Sequence, residues 1–246
     1  MKPFLILQLR PEDEASDDEY AAILRTGELA PANTHRIRLD RDPLPDLDLA
    51  RYAGTIVGGG PGCVSDAPAD KTPIDARAEA ACLSLMPQIT DNDLPFMGCC
   101  YGIGILAHHL GADVSKARYG EAVSAATCTM TPDGAIDPVL TGLPAQFDAF
   151  VGHKEAVQNL PQDTKHLLSG DACPFQMIRY KSNVYATQFH PEADANGFAT
   201  RIRIYKDKGY FPPEDADALT AMVNAADVSH APRILRNFVA RYSGQM

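Results

Sequence analysis

Leu94-Pro95-Phe96-Met97-Gly98-Cys99-Cys100-Tyr101-Gly102-Ile103-Gly104 is a short apolar run that breaks at a glycine, carries two adjacent cysteines and continues with helical spacing. It reads as strand, sharp turn, helix: Pro95–Gly98 as the strand, Tyr101–Leu110 as the helix, and Gly111 as its C-terminal stop. Gly98 and Gly102 flank Cys100 at −2 and +2. A nucleophile on a tight strand-to-helix turn needs small residues there, because the backbone doubles back too closely for side chains. Cys99 has Met97 and Tyr101 at the same offsets, so the two thiols are not equivalent. A thiol at a helix start also faces oriented N–H groups, which predicts an exposed, low-pKa thiolate at Cys100. The competing reading is a buried, inert cysteine pair before a glycine-rich helix.

Around this elbow, short β-rich runs alternate with helical stretches. Phe4–Leu9, His35–Leu39 and Gly54–Val57 read as strands, Asp17–Thr26 as a short helix, and Asp70–Leu94 as an alanine-rich helical stretch. Beyond it, Val123–Met130, Phe147–Val151, His166–Ser169, Gln176–Tyr180 and Val184–Phe189 are strands separated by turn clusters, which predicts mixed or antiparallel pairing. From Asn196 the chain turns helical, with a helix starting at Pro212-Pro213 and an apolar face at Ile234, Leu235, Phe238 and Val239. The expected fold is a three-layer α/β architecture: a largely parallel central sheet flanked by helices, a nucleophile elbow, and a mixed or antiparallel extension. No linker or repeat interrupts the 246 residues, so one domain with a helical tail over about 196–246 is expected.

Composition removes several classes of function. Apolar residues make up 45% and charged residues 22%, the usage of an ordinary globular enzyme. The net charge of −10, from 22 basic against 32 acidic residues, would repel phosphate backbones and anionic lipid, so neither nucleic acid nor membrane is an expected partner. Phe4–Leu7 is far too short for a signal core or a membrane span, and a soluble, cytoplasmic protein is expected. The six cysteines form no CxxC pair, so reduced thiols are expected, with Cys63, Cys82, Cys128 and Cys173 read as core or incidental. His108 and His109 point about 100° apart on a helix and cannot easily share an ion, so neither metal nor cofactor is expected. The acidic run Glu12–Glu19 reads as a solvated helix N-terminus.

Two further constellations suit thiol chemistry. In Thr187-Gln188-Phe189-His190-Pro191-Glu192 a strand ends in a histidine with a carboxylate two residues on. His190 could take the thiol proton and protonate a leaving amine, with Glu192 fixing the ring's tautomer, although a strand-end histidine is also commonly structural. Gly58-Gly59-Gly60-Pro61-Gly62 follows a buried strand, and its N–H groups could meet an oxyanion together with that of Tyr101. A simple tight turn is the alternative; a phosphate loop is disfavoured because G-x-x-x-x-G-K-[ST] is absent.

Taken in order, Val57–Gly62, Pro95–Gly102, Gly152-His153-Lys154-Glu155 and Gln188–Glu192 resemble the signature of class I glutamine amidotransferases, over about Phe4 to Glu192. The C-terminal helices resemble those of stand-alone members similar to the amidotransferase half of GMP synthetase. The resemblance implies a Cys100–His190–Glu192 triad that cleaves the glutamine amide through a γ-glutamyl thioester and releases ammonia. It further implies oxyanion donors at Gly60 and Tyr101 and a glutamine site lined by Gly59, Gly104, Gly152, His153 and Lys154. The family pattern has Gln or His where this chain has Gly104, which predicts a wider pocket short of one polar group. Three functions follow: a glutaminase feeding ammonia to a separate synthase chain, a free-standing hydrolase of small γ-glutamyl compounds, or a non-catalytic binding or regulatory module.

Overall fold

Five consecutive buried residues, Phe4–Gln8, form β1 inside the central sheet of the computed structural model, which describes residues 2–244. A strand covered on both faces is apolar almost throughout, and this one is. It is followed by α1 (Asp13–Gly27), β2 (Thr34–Arg38), β3 (Gly54–Val57), α2 (Pro73–Asp91), β4 (Phe96–Cys99) and α3 (Tyr101–His109). Next come β5 (Val114–Ser115), β6 (Glu121–Met130), the single turn α4 (Pro132–Ala135), β7 (Gln146–His153) and β8 (Ala156–Val157). Strands β9 (Thr164–Ser169), β10 (Met177–Tyr180) and β11 (Val184–Thr187) precede α5 (Ala195–Tyr205), α6 (Ala216–Ala225) and α7 (Pro232–Tyr242).

The nine-stranded sheet runs β2-β1-β3-β4-β11-β10-β9-β6-β7. Its first five strands are parallel and the remainder antiparallel, as the change of character along the sequence predicts. Side chains alternate across β1. Leu5 and Leu7 join Cys82, Leu85 and Leu106 of α2 and α3 on one face, while Phe4 and Ile6 join Ile23, Ile234 and Phe238 of α1 and α7 on the other. This is the expected three-layer arrangement. The apolar face of α7 is buried at Ile234, Leu235, Phe238 and Val239, worth about 1.5–3 kcal/mol per side chain in transfer terms. A third cluster, with Phe150, Phe198, Ile202 and Val223, seats α5 and α6 against β7.

Two expectations are corrected. Helix α1 starts at Asp13 rather than Asp17, so most of the acidic run lies inside it, and Glu19 is fully buried because Arg10 supplies a countercharge at 2.9 Å. Pro213 opens one turn of 3-10 helix, Pro213–Asp215, before α6 begins. Most important for the site, β3, β4 and β11 are adjacent and parallel, which brings three separate loops together at their carboxyl ends.

Candidate active site

Strand β4 ends at Cys99 and α3 begins at Tyr101, leaving Cys100 alone at the bend with φ 53° and ψ −92°. Such a conformation costs a non-glycine residue on the order of 1–3 kcal/mol and persists only where its surroundings enforce it. Its N–H donates to Thr187 O at 2.8 Å, tying the bend to β11. The tightness falls on Gly98, where a Cβ would lie 2.8 Å from the carbonyl carbon and oxygen of Gly102. A Cβ on Gly102 itself would meet Val57 O at an ordinary 3.5 Å, so only one of the two flanking glycines is sterically required. Cys99 points into the core and is fully buried, whereas Cys100 stays partly exposed.

The expected low-pKa thiolate is not what the surroundings favour. Burial pushes the Cys100 thiol up to about 12, with Arg10 opposing and Glu192 reinforcing the shift. The positive end of a nine-residue helix does not outweigh that desolvation, and a protonated thiol needs a base.

After β11 the chain leaves the sheet, and the His190 N–H donates to Phe150 O of β7 at 3.0 Å. The His190 Nδ1–H donates to Glu192 Oε1 at 2.8 Å, and both residues are buried. Arg201 of α5 donates from Nη2 to the same oxygen at 3.0 Å. Desolvation lowers the His190 pKa, partly offset by Glu192 and assisted by Arg201. Burial works to raise Glu192, but the His190 and Arg201 charges together hold it well below the usual carboxylate range. The ring faces Phe198 edge-on at 5.7 Å. Nothing adjacent to the motif signals Arg201; it reaches Glu192 only because α5 folds back over the loop. Cys100 and His190 line one cavity, and no hydrogen bond among the described residues joins them.

The glycine loop after β3 lies beside both. Gly58 N–H donates to Leu7 O at 3.0 Å and Gly59 N–H to Glu19 Oε1 at 3.1 Å. Gly59 thus has its amide committed and sits under the imidazole, where a Cβ would lie 2.6 Å from His190 Cε1. Gly60 lines the cavities with Cys100. Tyr101, as the first residue of α3, has no acceptor for its N–H within the helix, and its hydroxyl donates to Glu79 at 2.8 Å.

Cys100 also lines a second cavity with Gly104, Gly152, His153 and Lys154. The His153 ring is committed elsewhere: Nδ1–H donates to Glu155 O at 2.8 Å and Nε2 bonds Glu121 Oε2 at 2.9 Å. The Lys154 ammonium lies 4.2 Å over the Tyr210 ring. Gly104 faces this cavity, but Glu155 narrows the room the sequence suggests there. Glu155 Oε1 would stand 3.1 Å from a Cβ there, and its carboxylate accepts from Val64 N–H at 2.8 Å, Ser65 N–H at 2.9 Å and the Ser65 hydroxyl at 2.7 Å. Buried Gln188, whose Oε1 has no partner, joins this lining, and the sequence singles it out only by its place in the motif. Glu121, His153 and Cys173 bring three donor atoms within 4.8 Å of one another, but Glu121 Oε2 also accepts from Gln176 Nε2 at 2.7 Å and is filled without an ion.

The fold is thus α/β, with a cysteine on a strand–helix elbow over the parallel part of the sheet and beside a buried His–Glu pair. Residues 20–203 match the family described as glutamine amidotransferase class-I, and the chain belongs to that family. Among curated proteins it is 30% identical over 154 residues to the glutamine-hydrolyzing GMP synthase of Thermosipho africanus, covering 61% of this chain and 26% of that one. It is 33% identical over 115 residues to one subunit of the glutamine-hydrolyzing GMP synthase of Thermoplasma acidophilum, covering 46% of this chain and 56% of that subunit. The chain thus spans about a quarter to just over half of these relatives. Solved structures with the same fold include a glutamine amidotransferase from Thermotoga maritima, with TM-score 0.77, 19% identity and 99% of both chains covered. Another, from Methylobacillus flagellatus, has TM-score 0.72 and 20% identity, covering 99% of this chain and 94% of that one. Among the described residues no helix is long and apolar enough to cross a membrane.

Proposed function

We propose that residues 1–246 form one amidotransferase-type domain that hydrolyses the side-chain amide of glutamine through a thioester on Cys100. The observation that carries the reading is the 2.8 Å bond between His190 and Glu192 at the cavity Cys100 lines. Since Nδ1 is held by Glu192, Nε2 is the nitrogen free to act. It takes the thiol proton as Sγ attacks the amide carbon, and the oxyanion is received by the N–H groups of Gly60 and Tyr101. The C–N bond then breaks, the imidazolium gives its proton to the leaving amine, and water attacks the thioester, returning glutamate and the thiol. Glu192 stabilises the imidazolium, and Gln188 and Lys154 offer polar contacts to the glutamyl part.

The likeness to one subunit of a GMP synthase supports a separate synthase chain as the acceptor of ammonia. A second reading, a free-standing γ-glutamyl hydrolase, is favoured by the apolar wall of the cavity on the His190 side, formed by Val123, Phe198, Ile202 and Phe211. The test is ammonia release from L-glutamine by the purified chain, with Cys100→Ala as control. Release that Cys100→Ala abolishes is expected. Equal release by both proteins, or none by either, would overturn the mechanism.

A further inference from the structure

Two cavities of nearly equal size meet at Cys100. Gly60, Cys100, Gly152 and Tyr210 line both, and the Tyr210 hydroxyl donates to Pro61 O at 3.1 Å between them. They differ in what else they hold. The first carries the polar groups Gln188, Lys154 and Glu155. The second is the one lined by His190, and its other walls are the apolar side chains Val123, Phe198, Ile202 and Phe211 together with Tyr205, Arg10 and Arg201.

Chemistry assigns the two sides. The proton returned to the leaving nitrogen comes from the imidazole, so that nitrogen, with whatever it carries, departs into the cavity that His190 lines. Ammonia needs no such room. An apolar chamber comparable to the acyl cavity, built largely from α5 and the segment to Phe211, fits a nitrogen with a substituent. Both charged side chains in its wall are cations, and among the described residues no carboxylate lines it: Arg10 is paired with Glu19 behind it, and Arg201 with Glu192. A positive charge carried on the leaving group would therefore be desolvated in a cavity whose charged lining residues are both arginines, with no carboxylate to pair it.

We propose that the His190-side cavity is a leaving-group subsite, and that the preferred substrates are γ-glutamyl amides whose nitrogen bears a compact apolar substituent and no positive charge. This rests on the thioester mechanism above. It also places the room for a substituent on the His190 side of Cys100 rather than at Gly104, where Glu155 Oε1 would stand 3.1 Å from a Cβ.

The test compares three probes: L-glutamine, γ-glutamyl-N-butylamide, and γ-glutamyl-N-(4-aminobutyl)amide, the last two matched in carbon chain and differing in one charged terminus. The butylamide is expected to exceed each of the others in kcat/KM by at least about 10-fold, from burial of its methylenes and from charge exclusion respectively. Val123→Phe, which fills the chamber, should lower the butylamide-to-glutamine ratio by about 10-fold or more. Turnover of glutamine with none of the butylamide would overturn the subsite while leaving the glutaminase reading intact, and equal turnover of the two conjugates would overturn the charge argument. If no probe is turned over, the glutaminase reading fails, and titration calorimetry with Cys100→Ala still decides the subsite: the butylamide must bind at least about 10-fold more tightly than glutamine.

Discussion

The carboxylate of Glu19, fully buried on α1, accepts the Gly59 N–H at 3.1 Å and so holds the glycine loop directly beneath the His190 ring. The same carboxylate accepts from Arg10 Nε at 2.9 Å and Gln8 Nε2 at 3.0 Å. Replacing Glu19 by Gln keeps its size but strips Arg10 of its countercharge. Breaking one side of such a buried pair costs about 3–5 kcal/mol, and we expect that loss in urea unfolding. A residual folded population should show reduced kcat with little change in KM, because the displaced loop carries Gly60. Unchanged stability and kcat would mean that Glu19 does not position the loop.

Cys100 should be labelled first of the six cysteines, since the other five are buried, but slowly. With burial pushing its thiol up to about 12, the protonated form dominates at pH 7. Peptide mapping after iodoacetamide treatment should show Cys100 labelling that rises steeply above neutral pH and slows further in His190→Ala. Fast labelling at pH 7 that ignores this substitution would contradict the protonated resting thiol.

Stability and activity should both fall on acidification. His190 has a folded pKa below its ordinary value near 6.5, so the unfolded state binds the extra proton and stability is lost as pH drops from about 6.5 toward the lowered value. Glu192 is also lowered; its contribution is present above the ordinary carboxylate value of 4.5 and disappears as pH falls through the folded one. The acid limb of kcat/KM should accordingly have its midpoint below 6.5. A midpoint clearly above that value would show that the imidazole is not desolvated as the buried pair requires.

Gly98→Ala and Gly102→Ala should separate sharply. At Gly98 the new methyl meets Gly102 backbone at 2.8 Å and must distort the elbow, costing about 1–3 kcal/mol and most of the turnover. At Gly102, inside α3 with only an ordinary contact to Val57 O, helix propensity should gain up to about 1 kcal/mol. Thermal unfolding of both variants checks this; equal penalties would place the tight contact elsewhere.

Gly104→Gln should destabilise by about 1–3 kcal/mol, because its Cβ would stand 3.1 Å from Glu155 Oε1 and the rest of the side chain would press on that hydrogen-bonded carboxylate. A Gly104→Gln variant that is as stable as the parent and more active on glutamine would show instead that Glu155 yields easily.

The sequence by itself determined the elbow, the change from a parallel to a mixed sheet and the pairing of His190 with Glu192. Those signals are local. A glycine two residues before a cysteine reports a turn, and a proline between histidine and glutamate holds the two side chains within reach whatever the rest of the chain does. What only the tertiary structure decided came from residues far apart in sequence. Arg201 meets Glu192 because α5 packs across the loop, Glu155 narrows the room at Gly104 by reaching Val64 and Ser65, and Glu19 is buried because Arg10 stands behind it. A carboxylate on an acidic stretch looks solvated in sequence, since burial and countercharge belong to the folded surroundings rather than to the residue. The Cys100 thiol shows the same division: its place at a helix start is local, but desolvation by everything packed around it sets its protonation.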